Sequence, residues 1–110
     1  DGTSLLTVDL RTGAATRVAA VSVPTGTNVG FDFNPTVDRI RIVDAAGANR
    51  RVNPDDGAAL VDGAYTYAPG DASEGSTPSF SAVGYTNSDT DPNTATTLYG
   101  VDGGLGNLVR

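Results

Sequence analysis

The chain has 110 residues and a net charge of −6, and it contains neither histidine nor cysteine. This length allows one modest domain. The two missing residue types exclude a histidine-based triad, a thiolate nucleophile and a metal site built on His or Cys. The negative charge argues against nucleic acid and anionic membrane surfaces as partners, because both are bound by clustered basic side chains. No run of residues is apolar for long enough to predict a membrane span.

The predicted fold class is all-β. Glycines recur between short apolar runs, and no stretch keeps the apolar spacing of a helix for three turns. Alternation of apolar and polar residues, bounded by turn-forming residues, indicates strands instead. We predict strands over residues 4–9, 14–23, 29–33, 39–43, 49–53, 58–61, 79–86, 96–102 and 107–110.

The segment Val29–Asp44 has the pattern of a β-hairpin with a definable register. If Phe33 pairs with Ile40, then Asp32 pairs with Arg41. One face of the hairpin is then apolar, and the other carries an opposite-charge pair. We therefore predict that Asp32 and Arg41 are cross-strand neighbours.

Internal repeats suggest how the strands are grouped. VDLRTGAA resembles VNPDDGAA at an offset of 44 residues, VGFDF resembles VGYTN at 54, and RIRIVD resembles TLYGVD at 58. Repeats of this length, each with about four short strands, are typical of propeller blades. We predict antiparallel sheets in propeller-like repeats, about two and a half four-stranded blades in one domain over residues 1–110. Residues 4–23 end one blade, 29–61 form a complete blade and 79–110 begin the next.

Because a propeller needs at least four blades to close, this arrangement leaves three alternatives open. The chain is an excerpt of a longer propeller, a short subunit that closes by oligomerising, or a β-sandwich with misleading repeats. A start at Asp1 rather than at methionine is expected of a processed product or an excerpt.

The segments Gly30–Val43 and Asn49–Gly57 resemble the bacterial family called domain of unknown function 4394. Its members carry GFDFNP-x-x-DR-[IL]-R-[IV]-V and N-x-R-[VLI]-NP-D-x-G motifs, and weaker similarity extends over most of residues 4–110. The resemblance implies a propeller-like β fold and export, and so an extracellular, cell-surface or periplasmic location. It implies no activity, substrate or catalytic residue.

Basic and aromatic side chains supply the candidate binding residues. Arg41, Arg50 and Arg51 lie on adjacent predicted strands and could bind a carboxylate or an acidic glycan through paired hydrogen bonds. The alternative is that these arginines form exposed ion pairs with nearby Asp32, Asp38 and Asp44. Another pair of candidates, which could stack on sugar rings or contact a partner, stands in the long loop 62–78: Tyr65 and Tyr67.

One loop has the pattern of a calcium ligand set. Asp89, Asp91 and Asn93 place side-chain oxygens at alternating positions, as the start of a calcium loop does. The later glycine and bidentate glutamate of an EF-hand are missing, so the alternative is a solvated turn. Calcium is the one cofactor that the sequence suggests.

The functional hypothesis is a non-enzymatic, exported β module that acts in binding or in extracellular assembly. Its expected partners are other copies of itself or a longer assembly that completes the open blades. The alternative is a carboxylate-based hydrolase or lyase acting on glycans, because paired carboxylates can catalyse glycoside cleavage. No catalytic residue is singled out, since most of the aspartates fall in predicted turns.

Overall fold

A computed structural model describes residues 3–22, 26–89, 91 and 93–110, and within these it contains β-strands and no helix. The predicted all-β class is confirmed. Val23, the predicted end of the second strand, lies outside the described residues. None of the described segments forms a helix that is long and apolar enough to cross a membrane. The strands are β1 (Ser4–Val8), β2 (Ala15–Ala20), β3 (Val29–Asn34), β4 (Arg39–Asp44), β5 (Asn49–Val52), β6 (Ala59–Val61), β7 (Phe80–Tyr85), β8 (Leu98–Asp102) and β9 (Asn107–Val109).

The strands form three separate antiparallel sheets, each built from strands that follow one another in the chain. Sheet A has the order β1-β2, sheet B the order β3-β4-β5-β6, and sheet C the order β7-β8-β9. None of the three described sheets closes on itself.

The predicted register of the central hairpin is confirmed. Phe33 pairs with Ile40, and Asp32 pairs with Arg41. The turn between β3 and β4 is held by Asn34, whose Oδ1 accepts hydrogen bonds from the backbone and the hydroxyl of Thr36, at 3.0 and 2.8 Å. Such local bonding is the reason that asparagine favours turns.

One face of sheet B carries the apolar core. Ile40, Ile42 and Val52 are almost fully buried there. Leu5, in β1, and Val21, which directly follows β2, pack against them. Cross-strand pairing places these side chains on one face, because residues alternate between the two faces of a strand. Sheet A therefore covers sheet B through an apolar interface.

The opposite face of sheet B meets sheet C through polar groups and close backbone contact. A Cβ atom at Gly30 would lie 2.9 Å from the backbone nitrogen of Val83, so the absence of a side chain lets β3 and β7 approach. The backbone nitrogen of Tyr85 donates to Oδ2 of Asp32 at 2.6 Å. The same face carries Val43, which is fully buried, so both hydrogen bonds and apolar packing occur where sheet B meets sheet C.

Three of the described hairpins have the same turn. In the β1–β2 turn the backbone nitrogen of Gly13 donates to the carbonyl oxygen of Asp9 at 2.7 Å, and in the β5–β6 turn Gly57 donates to Asn53 at 2.9 Å. In the β8–β9 turn the backbone nitrogen of Gly106 donates to the carbonyl oxygen of Asp102 at 2.8 Å. Gly13 and Gly57 both have φ of 74°, a region that glycine adopts without strain. The shared turn accounts for the sequence similarity at an offset of 44 residues.

Buried aspartates end β4 and β8. Asp44 and Asp102 are 3% and 1% exposed, and each accepts hydrogen bonds from backbone nitrogens of the turn that follows it. Since a buried carboxylate needs hydrogen-bond donors, these turns are formed around the side chain.

Candidate binding site

Between sheets B and C, Arg41 makes hydrogen bonds to three other side chains. Its Nη1 donates to Oδ2 of Asp62 at 2.5 Å and to Oδ1 of Asn49 at 2.6 Å, and its Nε donates to the hydroxyl of Tyr85 at 3.4 Å. The side chain is 14% exposed. These bonds join β4, β5, β7 and the start of the connection that follows β6.

A second arginine shares the same carboxylate. Arg51 lies opposite Arg41 in the β4–β5 ladder, and its Nε is 2.8 Å from Oδ2 of Asp62. Two guanidinium groups on directly opposed positions repel each other. A carboxylate between them removes that repulsion, and Asp62, which directly follows β6, is placed to provide it.

The alternative prediction, that the arginines form ion pairs with Asp32, Asp38 and Asp44, is wrong. In the described structure, Arg41 and Arg51 both form their ion pair with Asp62. Asp32 is the cross-strand neighbour of Arg41, but its carboxylate accepts the backbone nitrogen of Tyr85 instead. The partner of Arg41 lies 21 residues away in the sequence, where the pairing of β5 with β6 places it.

The ion pair changes the acidity of both partners. Burial alone would lower the pKa of Arg41, but hydrogen bonds to Tyr85 and Asp62 outweigh it, and the pKa is raised. Burial would likewise raise the pKa of Asp62, yet the hydrogen bonds from Arg41 and Arg51 dominate and lower it. Both groups are therefore charged over the whole physiological pH range.

Asn49 and Tyr65 complete the network. Asn49 is 8% exposed, its Nδ2 donates to the carbonyl oxygen of Gly63 at 2.8 Å, and its Oδ1 accepts the hydroxyl of Tyr65 at 3.0 Å. Burial raises the pKa of Tyr65, although the positive charge of Arg41 acts against this. Sequence reasoning missed Asn49 as a site residue; its position at the start of the Asn-x-Arg motif was the available signal.

An open pocket of about 600 Å³ lies beside this network. Amide, hydroxyl and tyrosine side chains form most of its wall, and Arg41 is the one charged residue among the lining residues that the structure describes. The described lining residues are Asn34, Thr36, Arg41, Asn49, Tyr65, Tyr85, Asn93, Thr94, Ala95, Thr96 and Leu98.

The three predicted binding arginines do not share one face. Arg50 pairs with Ile42 and Val61 and so lies on the apolar side of sheet B, away from Arg41. Its Nε is buried without a described hydrogen-bond partner. Arg41 and Arg51 lie together on the polar side.

Tyr67 stands apart from the Arg41 network and bonds to sheet C. Its hydroxyl donates to Oδ2 of Asp102 at 2.6 Å, and this bond raises the pKa of Tyr67 to about 12. The ring of Tyr65 packs edge-on against Phe80, with ring centroids 4.8 Å apart. Both tyrosines are half-buried, and together they line a second cleft of about 530 Å³ between the long connection and sheet C.

The predicted calcium ligands bond to one another and to nearby backbone. Oδ1 of Asp89 accepts the backbone nitrogen of Asp91, and Oδ1 of Asp91 accepts both nitrogens of Asn93, at 2.9 to 3.1 Å. Hydrogen bonds from the backbone and side chain of Asn93 lower the pKa of Asp91. Among the described residues no three His, Cys, Asp or Glu side chains are grouped to hold a metal ion. Thr90 and Pro92, which separate the three residues, lie outside that description.

The fold and this site define an all-β protein of three antiparallel sheets with a polar pocket between two of them. The family model of a domain of unknown function, DUF4394, matches residues 1–110. The chain therefore belongs to this family. No curated protein and no solved structure matches it.

Proposed function

We propose that the chain is a non-enzymatic, exported β module that acts by assembly, with its three sheets as successive blades of a propeller-type stack. Two observations support the blade arrangement. Sheet B has four strands, and its first strand lies against the first strand of sheet C. Sheet A then corresponds to the last two strands of the preceding blade, and sheet C to the first three strands of the following blade.

The main support for the proposal is that the apolar face of sheet B is buried at β4 but exposed at β3. Ile40 and Ile42 on β4 are 1% and 5% exposed, whereas Phe31 and Phe33, their partners on β3, are 50% and 47% exposed. The two rings contact each other edge-on, with centroids 6.0 Å apart. Exposed adjacent aromatic residues on a sheet mark a surface that a partner covers.

The position of this surface indicates what covers it. Leu5 of β1 packs on the apolar core of sheet B, and a Cβ atom at Gly57 would lie 2.7 Å from Cβ of Ala19 near the end of β2. From these two contacts we infer that the unpaired edge of β1 faces toward β3. An edge strand offers unpaired backbone groups to a further strand. A strand added there would extend sheet A over Phe31 and Phe33. The occupant that we propose is such a strand, from another copy of the chain or from a longer assembly.

The solution mass of the 110-residue chain tests this proposal. We expect concentration-dependent self-association in sedimentation experiments, and the double variant Phe31→Ser/Phe33→Ser should weaken it at least tenfold by removing two large apolar contacts. Leu10→Ser, at a turn residue that is 98% exposed, is the matched control and should change nothing. A wild-type chain that stays monomeric at millimolar concentration, with the dispersed amide spectrum of a folded protein, would count against assembly.

A further inference from the structure

We propose that the pocket beside Arg41 binds a small ligand that carries one carboxylate next to hydroxyl groups, as a hexuronate does. This site lies on the polar face of sheet B, on the opposite side from Phe31 and Phe33, and its function does not depend on assembly. Three properties of the pocket favour such a ligand: its hydrogen-bond donors, its charge and the neutral groups of its wall.

Arg41 and Tyr85 both line the pocket, and each has a donor that its described hydrogen bonds do not use. In the described structure, Arg41 uses Nε and Nη1 for its protein partners, which leaves Nη2 for a ligand. The hydroxyl of Tyr85 accepts the bond from Nε, so its own hydrogen remains to be donated. A carboxylate has two oxygens that accept such a pair of donors, and hydrogen bonds to a charged acceptor are the stronger kind.

The charge of the wall favours a single carboxylate. Arg41 is the charged residue among the described residues that line the pocket, and Asp62, its ion-pair partner, is not part of that wall. The chain as a whole carries a net charge of −6 and repels highly charged anions at a distance. A ligand with one negative charge can pair with the guanidinium group of Arg41 and is repelled less by the acidic chain than a ligand with several charges.

The rest of the wall suits hydroxyl groups. Asn34, Thr36 and Thr96 contribute amide and hydroxyl groups, and Tyr65 adds an aromatic ring with its hydroxyl bonded to Asn49. Neutral groups of this kind, which both donate and accept, match the hydroxyls of a sugar. Because Arg41 is already held by three partners, little side-chain freedom remains to be lost on binding.

A pair of sugars that differ in one group tests the inference directly. Methyl β-glucuronide and methyl β-glucoside share a ring and its hydroxyls, but the first alone has a carboxylate. Titrated into the ¹⁵N-labelled chain, the glucuronide should shift amide signals of β4, β7 and residues 94–98, and the glucoside should bind at least tenfold more weakly. Equal affinity for the two sugars, or no shifts with glucuronide at about 10 mM, ten times a millimolar Kd, would overturn the proposal.

Two variants assign the binding to the named donors. Tyr85→Phe keeps the ring and removes the hydroxyl, and it should weaken glucuronide binding roughly tenfold. Arg41→Lys keeps the charge but removes the planar donor pair, and it should weaken binding by a similar factor. Arg11→Gln, which removes an exposed charge in the β1–β2 turn, is the control and should leave affinity unchanged. Wild-type affinity in a folded Tyr85→Phe variant would contradict the assignment.

Discussion

Tyr67 and Asp102 show how single side chains fix the long connection between sheets B and C. Asp102 is almost completely buried at the end of β8, and the hydroxyl of Tyr67 reaches it from 35 residues earlier in the chain. The hydrogen bond from Tyr67 is the main cause that lowers the pKa of Asp102. The segment 62–79 contains no strand, so such side-chain bonds hold it against sheet C.

This bond predicts a loss of stability in base. The pKa of Tyr67 is raised from 10.0 to about 12 in the folded chain. A raised pKa means that the stabilisation is fully present below pH 10 and is lost as the pH rises toward 12. We expect the urea midpoint of the wild type to fall more steeply over this range than that of Tyr67→Phe.

The control is a variant of a tyrosine that does not bond to Asp102. Tyr99→Phe removes a hydroxyl from β8 that makes no described hydrogen bond, and its pH dependence should follow the wild type. Parallel pH profiles for Tyr67→Phe and the wild type would show that the bond to Asp102 contributes no stability.

Between elements, the approach of β3 to β7 depends on one missing side chain. A Cβ atom at Gly30 would lie 2.8 Å from Cγ2 of Val43 and within 3.1 Å of backbone atoms of Ala82 and Val83. Backbone cannot move aside as a flexible side chain can, so the two sheets would have to separate.

We therefore expect Gly30→Ala to destabilise the chain by about 1–3 kcal/mol, the usual cost of overpacking. Gly63→Ala is the control, because a Cβ atom added there would have no described atom within 4 Å and the φ of Gly63 is not positive. Urea unfolding of both variants measures the difference. If Gly30→Ala and Gly63→Ala unfold at the same midpoint, the close packing of β3 on β7 is not a source of stability.

The elements could be predicted from the sequence because their signals are local. Alternation from Val29 to Phe33 and again from Arg39 to Val43 determined both strands, and the charge pair determined their register. The ion pair of Arg41 could not be predicted in this way. Its partner Asp62 comes close to Arg41 only because β6 pairs with β5. The sequence pattern does not show this pairing, and it favoured aspartates that are nearer in the chain. The bond of Arg41 to Tyr85 could not be predicted either, because Tyr85 reaches Arg41 from sheet C.

In the whole molecule the three sheets differ in how well they are buried. Every described residue of β1 and β2 is exposed or half-buried, whereas four of the six residues of β4 are buried. A two-stranded sheet is marginal by itself and depends on what it packs against.

Native-state hydrogen exchange should reveal this difference. Amides of β1 and β2 should exchange through local opening, while those of β4 and β5 should exchange only on global unfolding, because stability varies with local burial. Exchange measured residue by residue by NMR, at several low denaturant concentrations, separates the two modes. Equal free energies of opening for the amides of sheets A and B would contradict the prediction that sheet A opens locally.

The two different faces of sheet B would also give the proposed stack a direction. One face accepts a neighbour through apolar side chains, and the other binds its neighbour through Asp32, Arg41 and the close backbone contact at Gly30. In the assembly that we propose, units would add head to tail, and such heterologous contacts end in a closed ring when the rotation per unit divides a full turn, and in an open filament when it does not.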